Sequence, residues 1–254
     1  MNRLLKAGLL AATSAMALAA APASALDLSA MTEAERSAFR EEVRSYLLEN
    51  PELLLEVIAK LEAQQAEAQA SGDQQLVATN AEALFADANS WVGGNPEGDV
   101  TLVEFMDYRC GYCKKAFEEV EALVESDGNI RFVLKEFPIL GEESELAARF
   151  AIATLQLAGP DAYKSVHDQL MTMRGQVSEG NLAKIGVKAG IEDVQAVLDH
   201  MSNDDVTAVI AENRALAARL NISGTPGFVM GDVMLRGYLP LDAMREVVDE
   251  IRTQ

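Results

Sequence analysis

Cys110 and Cys113 are the only cysteines in the 254-residue chain, separated by Gly111 and Tyr112. Counting narrows the chemistry open to them. A tetrahedral zinc site takes two further ligands, and the only histidines, His167 and His200, lie far downstream without ligand-like spacing to each other. A structural disulfide stabilises mainly by closing a long loop in the unfolded chain, and this pair would close a very small one. Thiol–disulfide exchange is left. No metal and no separate cofactor are then expected, the redox-active group being the Cys110–Cys113 disulfide itself.

The flanking pattern positions the pair. Thr101 to Phe105 is short, β-branched and apolar, the signature of a buried strand, and Phe117, Val120 and Val124 then recur at helical spacing. Cys110 therefore falls at a helix N-terminus, where unpaired backbone N–H groups and the positive end of the helix dipole favour a thiolate and pull the pKa below its free value of about 8.5. The first cysteine is the nucleophile, and the second, one turn on and more buried, resolves the mixed disulfide. Glu104 interrupts the apolar strand. If buried, its pKa rises and it can relay the proton of the second thiol; as a strand-end residue it simply points into solvent. The residues alone leave both readings open.

Residues 1–25 read as an export leader. Asn2-Arg3-Leu4-Leu5-Lys6 is a basic n-region, Ala7 to Ala20 an apolar h-region, and Ala23-Ser24-Ala25 a small-x-small cleavage site. The apolar core is short and alanine-rich, and no other stretch approaches the roughly 18 apolar residues of a membrane span. A periplasmic location is expected, and in that oxidising compartment a single close cysteine pair works on other proteins instead of stapling its own. The balance of 21 basic against 40 acidic residues, a formal charge of −19, argues against nucleic acid or an anionic membrane as a partner.

Beyond the leader, Thr32 and Glu35 form a capping-box pattern ahead of Phe39, Val43, Tyr46 and Leu47, predicting a first helix. Asn50 as N-cap and Pro51 at the first helical position predict a second, carrying Leu54, Val57, Ile58 and Leu61 before the pattern fades into the polar stretch Gln64 to Gln75. Two short amphipathic helices cannot bury their own stripes, so they must pack on the main domain or on copies of themselves; self-association is favoured over an arm folded back on its own domain, with Ser71-Gly72 in a linker. From about Ala81 a second domain begins: turn-rich Trp91 to Asp99, the strand, the cysteine helix, and a parallel strand Ile130 to Phe137 ended by Pro138. Glu142 to Leu220 is almost wholly helical in pattern, with a first helix that ends at Gly159-Pro160, and contains both histidines, read as surface or packing residues. Strand pattern returns at Gly224-Thr225-Pro226-Gly227, with a tight turn at Met230-Gly231-Asp232-Val233 and a last helix from Leu241 to Ile251. Pro226 is either an edge residue or a cis-proline that exposes the Thr225 backbone to a substrate chain beside Cys110.

This order, with Cys110-Gly111-Tyr112-Cys113 after the first strand and Thr225-Pro226 before the last ones, resembles the DsbA-like thioredoxin-fold family of thiol–disulfide oxidoreductases. The resemblance implies an α/β fold: a thioredoxin fold with an inserted all-helical subdomain at about 142–220, preceded by an N-terminal helical oligomerisation arm. It divides the chain into the leader, an oligomerisation region and linker at 26–75, and the catalytic domain at 76–254. It implies Cys110 as nucleophile, Cys113 as resolving cysteine, Pro226 as cis-proline and Glu104 as buried acid, with Thr225, Gly111 and Tyr112 contacting substrate. Gly111-Tyr112 and Thr225 depart from the oxidase pattern and are similar to the periplasmic disulfide isomerases. Tyr46-Leu47-Leu48-Glu49-Asn50-Pro51-Glu52 resembles the N-terminal region of the ScsC (suppressor of copper sensitivity) proteins, which include trimeric isomerases. The expected partners are unfolded or misoxidised secreted proteins, a membrane reductase or oxidase that resets the cysteines, and further copies of the chain, with a trimer favoured. A monomeric dithiol oxidase and a copper(I)-binding protein are the alternatives.

Overall fold

The structure is a computed structural model and describes residues 29–253. The expected leader lies outside the described residues. The chain forms two compact units, Met1–Lys60 and Leu61–Gln254. No helix among the described residues is long and apolar enough to cross a membrane.

The first unit holds helix α1 (Glu33–Glu49) and the start of α2 (Glu52–Thr79). The capping box forms: the Thr32 hydroxyl accepts the Glu35 N–H and a Glu35 carboxylate oxygen accepts the Thr32 N–H at 2.8 Å. These bonds hold the Glu35 carboxyl below its usual pKa. Asn50 departs from expectation, because its side chain donates to the Tyr46 carbonyl at 2.8 Å and closes α1 instead of opening α2. No residue of α1 is buried, and Phe39, Val43, Tyr46, Leu48, Leu54 and Ile58 stand exposed.

The expected linker is also helical, since α2 runs without a break through Ser71-Gly72 to Thr79. Glycine inside a helix costs about 1 kcal/mol relative to alanine. In the second unit that cost is offset by docking of the last turns. Val77 is buried, and Asp73 takes both guanidinium nitrogens of Arg236 at 2.7 and 2.8 Å.

The remainder of the second unit comprises α3 (Ala81–Phe85), β1 (Trp91–Gly94), β2 (Val100–Met106), α4 (Gly111–Asp127), β3 (Ile130–Glu136), α5 (Glu142–Thr172), α6 (Glu179–Lys188), α7 (Val194–His200), α8 (Asp204–Arg219), β4 (Gly227–Met230), β5 (Val233–Arg236) and α9 (Leu241–Thr253). The described strands form one sheet in the order β1-β3-β2-β4-β5, with β2 and β3 parallel and the other pairs antiparallel. This is a thioredoxin fold with a helical insertion, α5 to α8, between β3 and β4. The central strands are buried on both faces, which is why they read as near-continuous apolar runs. Leu102, Met106, Phe132 and Leu134 face the larger core with α4 and α5; Val103, Phe105 and Val133 face the smaller one with Leu84 and Leu216.

Strand β1 was expected to be turn. It becomes a strand through pairing with β3 (Trp91 opposite Leu134) and through the Trp91 ring, which stacks on Tyr163 and donates to the Pro160 carbonyl at 3.1 Å. The Gly159-Pro160 stop falls as expected: Gly159 adopts φ 84°, ψ −179°, interrupting α5. Gly231-Asp232 makes the two-residue turn between β4 and β5, with Gly231 at φ 57°.

Candidate active site

Cys110 is the N-cap residue of α4, and its sulfur accepts the Cys113 N–H at 3.4 Å. The same sulfur lies 3.2 Å from the Thr225 carbonyl oxygen, to which the thiol donates. Thr225 precedes Pro226 through a cis peptide bond. Both cysteines are free thiols, 7% exposed at Cys110 and fully buried at Cys113.

Their electrostatics diverge. A hydrogen bond from the Cys113 thiol, then the Thr225 hydroxyl and the backbone N–H groups of Cys113 and Tyr112, outweigh burial and pull Cys110 down to about 5. Cys113 is pushed far above the ordinary thiol range by its bond to the Cys110 sulfur, by burial and by the charge of Glu104. At neutral pH the pair is therefore one thiolate that keeps a small exposed edge and one fully buried thiol, the division that sequential exchange needs.

Of the two readings of Glu104 left open by the sequence, the buried one holds. Glu104 is 3% exposed in the middle of β2, between Leu134 of β3 and Phe228 of β4, and its Oε1 has no protein partner among the described residues. Burial, with smaller contributions from the charges of Glu121 and Cys110, pushes it up to about 8. Tyr112 is 64% exposed and rests against the Tyr238 ring, which Lys115 covers at 4.0 Å. Gly111 has open space where a Cβ would stand. A groove of about 230 Å³ runs along Ser223, Gly224, Thr225 and Pro226. The structure thus brings Cys110, Cys113, Glu104, Thr225, Pro226, Gly111 and Tyr112 into one locality.

Two acids around the site were not singled out from sequence. Asp107 is buried, and its carboxylate accepts the N–H groups of Arg109, Ile139 and Leu140 at 2.7, 2.8 and 3.1 Å, tying the loop before Cys110 to the loop after β3. Glu136, at the end of β3, accepts the hydroxyls of Tyr108 and Tyr163. Its sequence signal was a second carboxylate inside an apolar strand, adjacent to Lys135, which is buried on the opposite face and paired with Asp87. His167 packs in the core beside Tyr108, and His200 is bonded to the Gln156 side chain nearer the surface, as the sequence reading of the two histidines expects.

Comparison with known proteins places this arrangement. The model of the DSBA-like thioredoxin domain matches residues 101–249, and that of the copper resistance protein ScsC N-terminal domain matches residues 35–68. The chain belongs to the DSBA-like thioredoxin domain family, a family of thiol–disulfide oxidoreductases, and carries an ScsC-type N-terminal region. It is 42% identical to a thioredoxin-like oxidoreductase from Silicibacter pomeroyi, with TM-score 0.64, covering 68% of this chain and 98% of that one. It is 28% identical to Proteus mirabilis ScsC in a transitional conformation, with TM-score 0.63, covering 87% and 97%. Among curated proteins, disulfide bond formation protein D of Bacillus subtilis is 24% identical over 62% of this chain and 74% of its own. The match to the Na(+)/H(+) antiporter NhaA 1 of Salinispora arenicola, 27% identical, spans 24% of that protein.

Proposed function

We propose that the chain is an exported, periplasmic protein disulfide isomerase, assembled as a homo-oligomer, in which Cys110 attacks wrongly formed disulfides of secreted proteins. The observation that carries the reading is the Cys110 sulfur poised between the α4 N-terminus and the Thr225 carbonyl, with its pKa pulled down to about 5. The Cys110 thiolate attacks one sulfur of a client disulfide. The Cys110–client bond forms, the client S–S bond breaks, and the departing client sulfur leaves as a thiolate that takes a proton from water. Backbone groups at Thr225-Pro226 hold the client strand, and Tyr112 offers it an exposed ring.

Two exits follow. Another client thiol displaces Cys110, completing isomerisation, or Cys113 attacks Cys110, closing the Cys110–Cys113 disulfide and releasing a reduced client. In the second exit the Cys113 proton passes to the ionised fraction of Glu104, which is present because its pKa of about 8 lies close to neutral pH. A membrane thiol–disulfide partner then returns the pair to the dithiol.

The exposed apolar side chains of the N-terminal helices support self-association, because one copy leaves Leu54, Val57 and Ile58 in water. Several active sites facing one client raise the effective concentration of attacking thiolate, which suits isomerisation. A full-length Val57→Asp/Ile58→Asp variant tests this. Sedimentation is expected to show dissociation, and refolding of scrambled ribonuclease to fall while dithiol reactivity is retained. A parent protein that sediments as a monomer and oxidises thiols without rescuing scrambled ribonuclease favours the dithiol oxidase instead.

A further inference from the structure

Behind the cysteine pair lies a buried polar cluster that the exchange steps above do not use. Glu136 is 4% exposed. Its Oε1 accepts the Tyr108 and Tyr163 hydroxyls, each at 2.7 Å, and its Oε2 has no protein partner among the described residues. The Tyr108 oxygen is 3.2 Å from Nδ1 of His167, whose ring stacks on Tyr163. Because Tyr108 donates its hydrogen to Glu136, the His167 contact assigns the imidazole proton to Nδ1, donating to the Tyr108 oxygen. Burial keeps that imidazole neutral, pushing it down to about 3.

Both hydroxyls go to one oxygen of Glu136, which leaves Oε2 free to carry a proton. Burial pushes the group up to about 8 against the pull of the Tyr163 and Tyr108 bonds. Its position links it to the exchange site. Tyr108 stands two residues before Cys110. Glu136 is the register partner of Met106, two residues along β2 from Glu104, so strand alternation puts both acids on one face of the sheet. Tyr163, bonded to Glu136, also feels the charge of Glu104. The groups acting on Glu136 are Asp107 and Tyr108 from the loop before α4 and Tyr163 from α5, with His167 of α5 behind Tyr108 and Glu104 of β2 on the same face of the sheet; Asn213 of α8 donates to its main-chain oxygen at 3.0 Å.

We propose that Glu136 is a second buried acid of the exchange site, a positioning residue that holds Tyr108 and Tyr163 while protonated and whose proton affinity follows the redox state of Cys110–Cys113. The inference rests on the thiol–disulfide reading given above. Reduction of the Cys110–Cys113 disulfide by a client or resetting dithiol breaks the S–S bond. Two electrons enter, one of the donor's two protons goes to Cys113 and the other to solvent, Cys110 is left as thiolate, and the donor dithiol becomes a disulfide. The new negative charge beside the buried carboxyls raises their affinity for protons, so near and above neutral pH the reduced protein takes up a further fraction of a proton at Glu104 and Glu136.

Infrared difference spectroscopy on the full-length protein with isotope-labelled glutamate, reduced minus oxidised, across roughly pH 6 to 10, tests this. Two buried protonated carboxyl bands are expected, one lost in Glu104→Gln and the other in Glu136→Gln. The band lost in Glu136→Gln is expected to titrate at higher pH in the reduced protein by roughly half a unit or more. If Glu136→Gln does not fold, the band remaining in Glu104→Gln identifies the group. Only one buried carboxyl band in the parent protein overturns the proposal, as does a second band with the same midpoint in both redox states. Alkylation of the same samples separates the two claims: fast Cys110 reaction with an unresponsive Glu136 sinks the second acid alone, whereas an inert Cys110 sinks the exchange reading and the inference with it.

Discussion

The Cys110 sulfur lies 3.2 Å from the Thr225 carbonyl oxygen, across 115 positions of sequence. One partner comes from the cap of α4 and the other from the loop entering β4, and the antiparallel pairing of β2 with β4 brings them together. On the proposed function, a client strand paired with the Thr225 backbone would arrive with its disulfide at the Cys110 sulfur.

The division between one thiolate and one buried thiol predicts opposite phenotypes for the two serine variants. Cys113→Ser should accumulate a covalent Cys110–client complex on non-reducing gels, because the internal resolving thiol is gone. Cys110→Ser should form none. Equal amounts of complex from both variants would remove the assigned roles.

Glu104→Gln should stabilise the protein and slow closure of the Cys110–Cys113 disulfide. The folded pKa of about 8 lies above an unfolded value of about 4.3. The contribution of this group is thus fully present below about pH 4.3 and is lost progressively as pH rises toward 8. Denaturant titrations should show no gain at pH 4 and a gain on the order of 3 kcal/mol near pH 7. A gain independent of pH would contradict the burial argument.

Much of this site was legible because its signals are local. The Cys-x-x-Cys pair, the helix after it and Thr225-Pro226 announce themselves within a few residues. What was missed depends on distant pairing. Trp91 to Gly94 reads as turn until β3 lies beside it, and Ser71-Gly72 reads as linker until Asp73 meets Arg236. Asn50 has the residue type of an N-cap, and a choice between two flanking helices decided its side chain. Glu104 could not be placed inside or outside until both its neighbouring strands were known. Glu136 gave the same signal on the next strand, and its tyrosine partners lie 28 and 27 residues away.

Asp107→Asn should cost about 1–3 kcal/mol, since the amide nitrogen cannot accept from the N–H groups of Arg109, Ile139 and Leu140 that the carboxylate satisfies. Chemical denaturation measures this, and a change within about 0.5 kcal/mol would show that the clamp contributes little.

Asp73→Ala should free the last turns of α2 from the β4–β5 hairpin. The bidentate pair is partly buried, 12% exposed at Asp73 and 31% at Arg236, so a loss of about 1–2 kcal/mol is expected. Hydrogen exchange should rise at residues 69–79 and leave the β2–β3 pair protected. Unchanged exchange in that segment would assign its docking to Val77 alone.

The most direct test of the account is the ionisation of Cys110, followed in the reduced protein by thiolate absorbance and by the pH dependence of iodoacetamide alkylation. The account predicts a single midpoint near pH 5, absent in Cys110→Ser and with no second thiol titrating below the ordinary range. A midpoint at the value of about 8.5 for a free thiol would contradict it.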